Sequence, residues 1–125
     1  MENYILIYHF NDEKDNAFFK NELKKKFPKH KIDNTQELEY FAFSARHQPA
    51  VVDEINTIAH RLGISTKDYI ALYYTRPNNS DDINREMLLG SDSLIETDLK
   101  NISSDRHRNN LIELMDYNFL DERKN

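Results

Sequence analysis

The chain has 125 residues, a formal net charge of −5, 31% charged and 38% hydrophobic residues, and neither cysteine nor tryptophan. That length supports one compact core rather than two, and the missing cysteines exclude disulfide staples, thiolate nucleophiles and cysteine-ligated zinc or iron–sulfur centres. With only Gly63 and Gly90 for glycines, a P-loop, a dinucleotide fingerprint and a nucleophile elbow are excluded as well.

Tyr4 to Tyr8 form a continuous apolar run, the pattern of a central strand covered on both faces. Asn11 or Asp12 then caps a helix, with Glu13 and Asp15 in its first turn and Lys24, Lys25 and Lys26 in its last, as the helix dipole prefers. Phe19, Leu23 and Phe27 make its apolar stripe, with Phe18 beside them, and Pro28 stops it. Residues 37–45 alternate as a strand, Leu38, Tyr40, Ala42 and Ser44 on one face and Phe41 and Phe43 on the other. Lys31 and Ile32, ahead of an Asp33-Asn34 turn signal, offer a short partner strand. Pro49 suits the first turn of a second helix, Val51, Val52, Ile55, Ile58, Ala59 and Leu62 line its inner face, and Gly63 fits the left-handed position beyond its end. A third strong strand spans 68–75. Beyond the break at 76–80, Ile83, Met87 and Leu88 suggest a short helix ending at Gly90. Leu94, Ile95, Leu99 and Ile102 suggest another, and Leu111, Ile112, Met115 and Phe119 a last one capped by Ser104.

The order β-α-(β)β-α-β predicts a ferredoxin-like βαββαβ sandwich over residues 1–80, with residues 81–125 as a helical, acidic extension packed on the same single domain. If the short strand is absent, a minimal open parallel α/β sheet is the alternative. Charge divides at the same place. Residues 1–80 hold 11 acids and 11 Lys/Arg, while residues 81–125 hold 11 acids and 6 Lys/Arg, so the whole excess lies in the last third. Within the balanced part, residues 20–31 hold six lysines against one glutamate. That run reads as a solvated helix end rather than a nucleic-acid footprint. The N-terminus lacks a basic segment followed by an apolar one, and no apolar run is long enough for a membrane span, so a soluble cytoplasmic protein is expected.

Three groups of residues invite a chemical reading. The first is His9 with Asp12 at the exit of the first strand. A small ferredoxin-like domain whose first strand ends in an acid resembles the small nuclease subunit of CRISPR adaptation complexes and its toxin-like relatives. The resemblance spans roughly the first 75 residues as an order of elements. It implies a phosphodiesterase using Mg or Mn, with the acid at the strand end in the functional role. His9 stands at that position here, and Asp12 follows three residues later. The plain reading is that His9 closes the strand and Asp12 caps the helix.

The second group is Arg46, His47 and Arg76, which follow two strands ending on one edge of the sheet and together suit a carboxylate or phosphate. In the ferredoxin-like arrangement His9 and Asp12 lie at the opposite end, near His60 and Arg61. The third is the acidic extension: Asp92, Glu96, Asp98, Glu113 and Asp116, with Met87 and Leu88 from a run of three apolar residues that one helix face cannot bury whole. His30 and His107 read as surface residues.

With so few catalytic signatures, the sequence favours a binding module over an enzyme, with no cofactor. It would be immunity-, antitoxin- or adaptor-like, setting its acidic C-terminal surface against a basic protein partner. A homodimer is compatible, a nucleic-acid partner is disfavoured by the acidic flank, and no membrane is expected. The competing readings are a metal-dependent nuclease at Asp12 and His9, and a regulator binding a small anion at Arg46, His47 and Arg76.

Overall fold

The computed structural model describes residues 2–35, 38–46, 48–63, 70–75, 85–90, 92–103 and 113. Its elements are β1 (Glu2–Tyr8), α1 (Glu13–Lys26), β2 (His30–Thr35), β3 (Leu38–Ala45), α2 (Gln48–Arg61), β4 (Ile70–Thr75), β5 (Arg85–Leu89) and α3 (Asp92–Ser103). The strands form one five-stranded sheet in the order β2-β3-β1-β4-β5, and every pairing is antiparallel. The open parallel sheet is thereby overturned: β3 and β4 flank β1 and both run against it. Among the described residues, no helix is long and apolar enough to cross a membrane.

The apolar run of β1 is explained by its place at the centre. Tyr4, Leu6 and Tyr8 join the core beneath α1 and α2, while Ile5 and Ile7 join a second core on the opposite face. β3 divides the same way, with Phe41 and Phe43 in the first core and Leu38, Tyr40 and Ala42 in the second. Both faces of the sheet are therefore buried, and strands in its middle carry no polar alternation.

α1 lays Phe19 and Leu23 on the first core and hands over to Phe27, whose N–H bonds the Leu23 carbonyl at 2.8 Å. Phe27 stacks on Phe43 at 4.1 Å, and Phe43 stacks on Tyr4 at 5.4 Å. His30 is half-buried rather than a free surface residue. Its Nδ1 lies 2.7 Å from the Phe27 carbonyl oxygen and its ring stacks on Phe41. A carbonyl oxygen only accepts, so Nδ1 carries the proton. α2 contributes Val51, Ile55, Ile58 and Ala59 to the first core. The helix gives way to a turn at Leu62 and Gly63, and Gly63 has φ +68, the left-handed conformation that glycine adopts without strain.

Two local expectations are corrected. β2 continues through Asp33 and Asn34 to Thr35, which pairs with Leu38. Cross-strand pairing of Asp33 with Tyr40 and of Asn34 with Glu39 overrides their turn preference. Residues 85–89 are a strand rather than part of a helix, because β4 offers an open edge whose backbone groups need partners. The β4–β5 ladder contains a bulge: Tyr73 pairs with Met87 and Leu72 with Leu89, leaving Leu88 as the extra residue. Leu88 and Leu89 consequently both pack against the first core, which resolves three consecutive apolar residues without a helix. The expected last helix capped by Ser104 falls outside the described residues, apart from Glu113.

α3 lies against β3 and β4 on the far face of the sheet, with Leu94 in the second core. The result is three layers: α1 and α2, the sheet, and α3.

Candidate functional site

The turn after β1 is built around helix capping. Asp12 has extended backbone angles (φ −95, ψ 122), and its carboxylate accepts the Lys14 N–H at 2.8 Å. Its carbonyl accepts from Asp15 and Asn16, both at 3.1 Å. The Asn16 side chain then clamps Phe10 twice, accepting its N–H at 3.0 Å and donating to its carbonyl at 2.8 Å. These bonds satisfy backbone donors that a helix start leaves orphaned, and they seat Phe10 against Tyr8 and Phe19. His9 is exposed on this turn. Among the described residues, no group of three His, Asp or Glu side chains is placed to hold a metal ion.

The opposite edge is set by register. Glu2 faces Ala45 and Asn3 faces Thr75, so β3 and β4 both end beside the start of β1. Arg46 is exposed there, while His47 and Arg76 lie outside the described residues. This edge also holds an acid: Glu2 accepts from the Tyr4 hydroxyl at 3.0 Å. Burial raises the Tyr4 phenol well above its ordinary value, and the Glu2 bond and charge add to that. Ser44 donates to Asn3 at 2.6 Å across the same pair of strands.

Two polar links join helices to the sheet, the first half-buried and the second buried, and neither is visible as a motif. Tyr8 and Glu39 are cross-strand partners, and Lys20 of α1 forms an ion pair with Glu39. Burial, and then the Glu39 charge, hold the Tyr8 phenol protonated far above the ordinary tyrosine range. On the far face, the Tyr40 hydroxyl donates to Asp98 of α3 at 2.8 Å. Asp98 is fully buried, the one polar or charged side chain so placed among the described residues. It is therefore not part of an acidic surface, as the sequence suggested. Its place one turn after Leu94 is the signal that was available, since an acid at i+4 from a core leucine shares its face.

Asp98 and its bond mark the inner side of α3. Of the four apolar residues that marked this helix, Leu94 shares the inner face with Asp98, and Leu99, one residue beyond Asp98, is turned about 100° away from it. Leu99 is left 57% exposed, beside exposed Glu96 and Lys100. Met87, on the same side of the sheet as Tyr73, is 52% exposed, while Leu88 is turned into the first core and is not free for a partner. Glu113 is exposed. Asp92 opens α3 four residues before Glu96, and Asp116 lies outside the described residues.

The third exposed large apolar side chain among the described residues is Phe18, at 39%, on the outer face of α1. Lys14, Asn21 and Lys25 are exposed on that same face by helical spacing. Asp15 and Glu22 flank Phe18 at three and four residues, and Glu22 pairs with Lys25 at 3.8 Å and with Arg61 of α2 at 3.6 Å.

No family model, no curated protein and no solved structure matches the chain.

Proposed function

We propose that this chain is a non-catalytic protein-binding module, immunity-, antitoxin- or adaptor-like, that sets the outer face of α3 and the acidic C-terminal third against a basic protein surface. The observation that carries this reading is the α3 side of the sheet, where Leu99 stands more than half exposed between Glu96 and Lys100, and Met87 of β5 is more than half exposed as well. An exposed apolar centre with charge at its rim is the composition of a docking patch. The charge is graded across the sheet: α1 holds five lysines against Glu13, Asp15 and Glu22, while α3 holds Asp92, Glu96 and the buried Asp98 against Lys100.

The scaffold reads as ferredoxin-like over residues 1–80. The strand order β2-β3-β1-β4, with α1 and α2 contributing to one core, supports that reading. Residues 81–125 then add β5 to its edge and α3 to its open face.

The test is affinity capture with the wild-type chain and with Glu96→Lys/Leu99→Ser, at low and high salt. A basic protein retained by the wild type, released by salt and lost with the double variant is the expected result. Equal retention of the same proteins by both would overturn the reading.

A further inference from the structure

β2 closes one side of the sheet, and no described strand pairs with its outer edge. Every second residue of an antiparallel strand turns its N–H and C=O to that edge, which leaves a row of donors and acceptors for another strand. The side chains of β2 narrow the choice. Lys31 is exposed, and Asp33 is half-buried two residues further on, on the same face of the strand. One carboxylate oxygen of Asp33, Oδ2, is shut from solvent with no hydrogen-bond donor, a costly state for a charged group. We infer that β2 pairs antiparallel with β2 of a second copy about a two-fold axis at Ile32, so that Lys31 of each copy stands opposite Asp33 of the other.

Symmetry selects that register. Opposed residues in an antiparallel pair share a face, so the two-fold axis must pass beside a residue and not between two. Beside Lys31 the axis opposes two lysines, and beside Asp33 it opposes two carboxylates. Beside Ile32 the charges cross over, two Lys–Asp pairs form, and each Asp33 gains a cation next to its under-bonded carboxylate. Ile32, half-buried against the aromatic core of its own copy, then meets Ile32 of the second copy on the same face. Charges on an edge strand repel most strands that approach it. Here the same two charges admit one partner, this strand reversed. The other edge is less suited, because the β5 bulge bends it. The contact is isologous and closes at two chains. It uses neither α3 nor the acidic third, so it stands apart from the docking surface on the far face.

The experiment is sedimentation velocity on the full chain over a wide concentration range, with Lys31→Glu, Asp33→Lys and the exchanged variant Lys31→Glu/Asp33→Lys. The wild type should pass from 14.9 kDa to twice that mass and no further. Each single variant puts like charges at both symmetric contacts and should associate on the order of tenfold more weakly. The exchanged variant restores opposite charges at both contacts, as does an equimolar mixture of the two single variants, and both should return to near the wild-type affinity. Far-UV circular dichroism checks that the Asp33 variants fold. Lys31 is exposed, so Lys31→Glu carries the test if they do not. Backbone hydrogen exchange reads the same contact in the wild type, where β2 amides should slow as the dimer fills. A wild type that stays single at every concentration overturns the inference. A dimer that Lys31→Glu leaves unchanged, or whose β2 amides exchange as fast as in the single chain, overturns it equally, as does an exchanged variant that folds and stays single.

Discussion

The two faces of the sheet are held by different physics. Under α1 and α2 the core is aromatic and self-contained, with Tyr4, Phe27, Phe41 and Phe43 meeting in stacked or tilted pairs and Tyr8, Phe10 and Phe19 in another group. Under α3 the core is built from Ile5, Ile7, Ala42, Ala71, Leu94 and two tyrosines, and it contains a carboxylate. Rings packed edge and face specify one arrangement by shape. Small aliphatic side chains specify little, and there the Tyr40–Asp98 bond supplies the orientation. The face with the weaker shape signal is also the one whose helix exposes Leu99 and Glu96, while its Leu94 and Asp98 are buried.

Mutation should separate the two faces by size of effect. Phe43→Ala removes a ring packed against three others and should cost about 3–5 kcal/mol, whereas Ile7→Val in the other core should cost about 0.5–1.5 kcal/mol. Denaturant unfolding of both variants checks the ranking, and equal losses would erase the contrast. Next comes Asp98→Ala, which leaves the buried Tyr40 hydroxyl short of its acceptor and should cost about 1–3 kcal/mol. Tyr40→Phe in the same chain should recover part of that loss. A double-mutant cycle measures the coupling, and strictly additive losses would mean the bond does not orient α3.

Asp12→Ala should cost about 1 kcal/mol through the lost cap. If RNA or DNA is cleaved with Mg or Mn, and that activity vanishes in Asp12→Ala while surviving Asp53→Ala, the turn after β1 is a catalytic site and the binding reading fails. The gentlest probe is alkaline titration. Tyr4 and Tyr8 keep their protons in the folded state above the ordinary value of 10.0. The unfolded chain therefore releases protons first as pH rises, and stability falls above that value. Tyrosinate absorbance should show these two phenols ionising only as the protein unfolds, and a smooth titration of all seven tyrosines in folded protein would contradict their burial.

Much of the architecture was legible because strong local signals agreed with the global fold. β1 through β4, the Asp12 cap, the Phe19–Leu23 stripe and Gly63 all follow from patterning and backbone preference. What was misread depended on distant partners. Nothing near residue 85 announces that the edge of β4 needs a strand, and β2 keeps Asp33 and Asn34 only because Tyr40 and Glu39 lie opposite. The inward place of Asp98 on α3 is met by a hydroxyl 58 residues earlier in the chain. Of the proposed site residues, Glu96, Glu113 and Met87 are exposed where a surface was expected, while Asp98 and Leu88 were drawn inside by partners that periodicity does not reveal.

The bulge at Leu88 changes how this strand tolerates a change in length. Losing one residue from a regular strand inverts the facing of everything beyond it. Here Met87 already sits opposite Tyr73 and Leu89 opposite Leu72, with Leu88 as the surplus residue between them. Deleting that residue joins two positions whose facing is already alternate, so the ladder closes in frame and the joint to α3 stays on its side of the sheet.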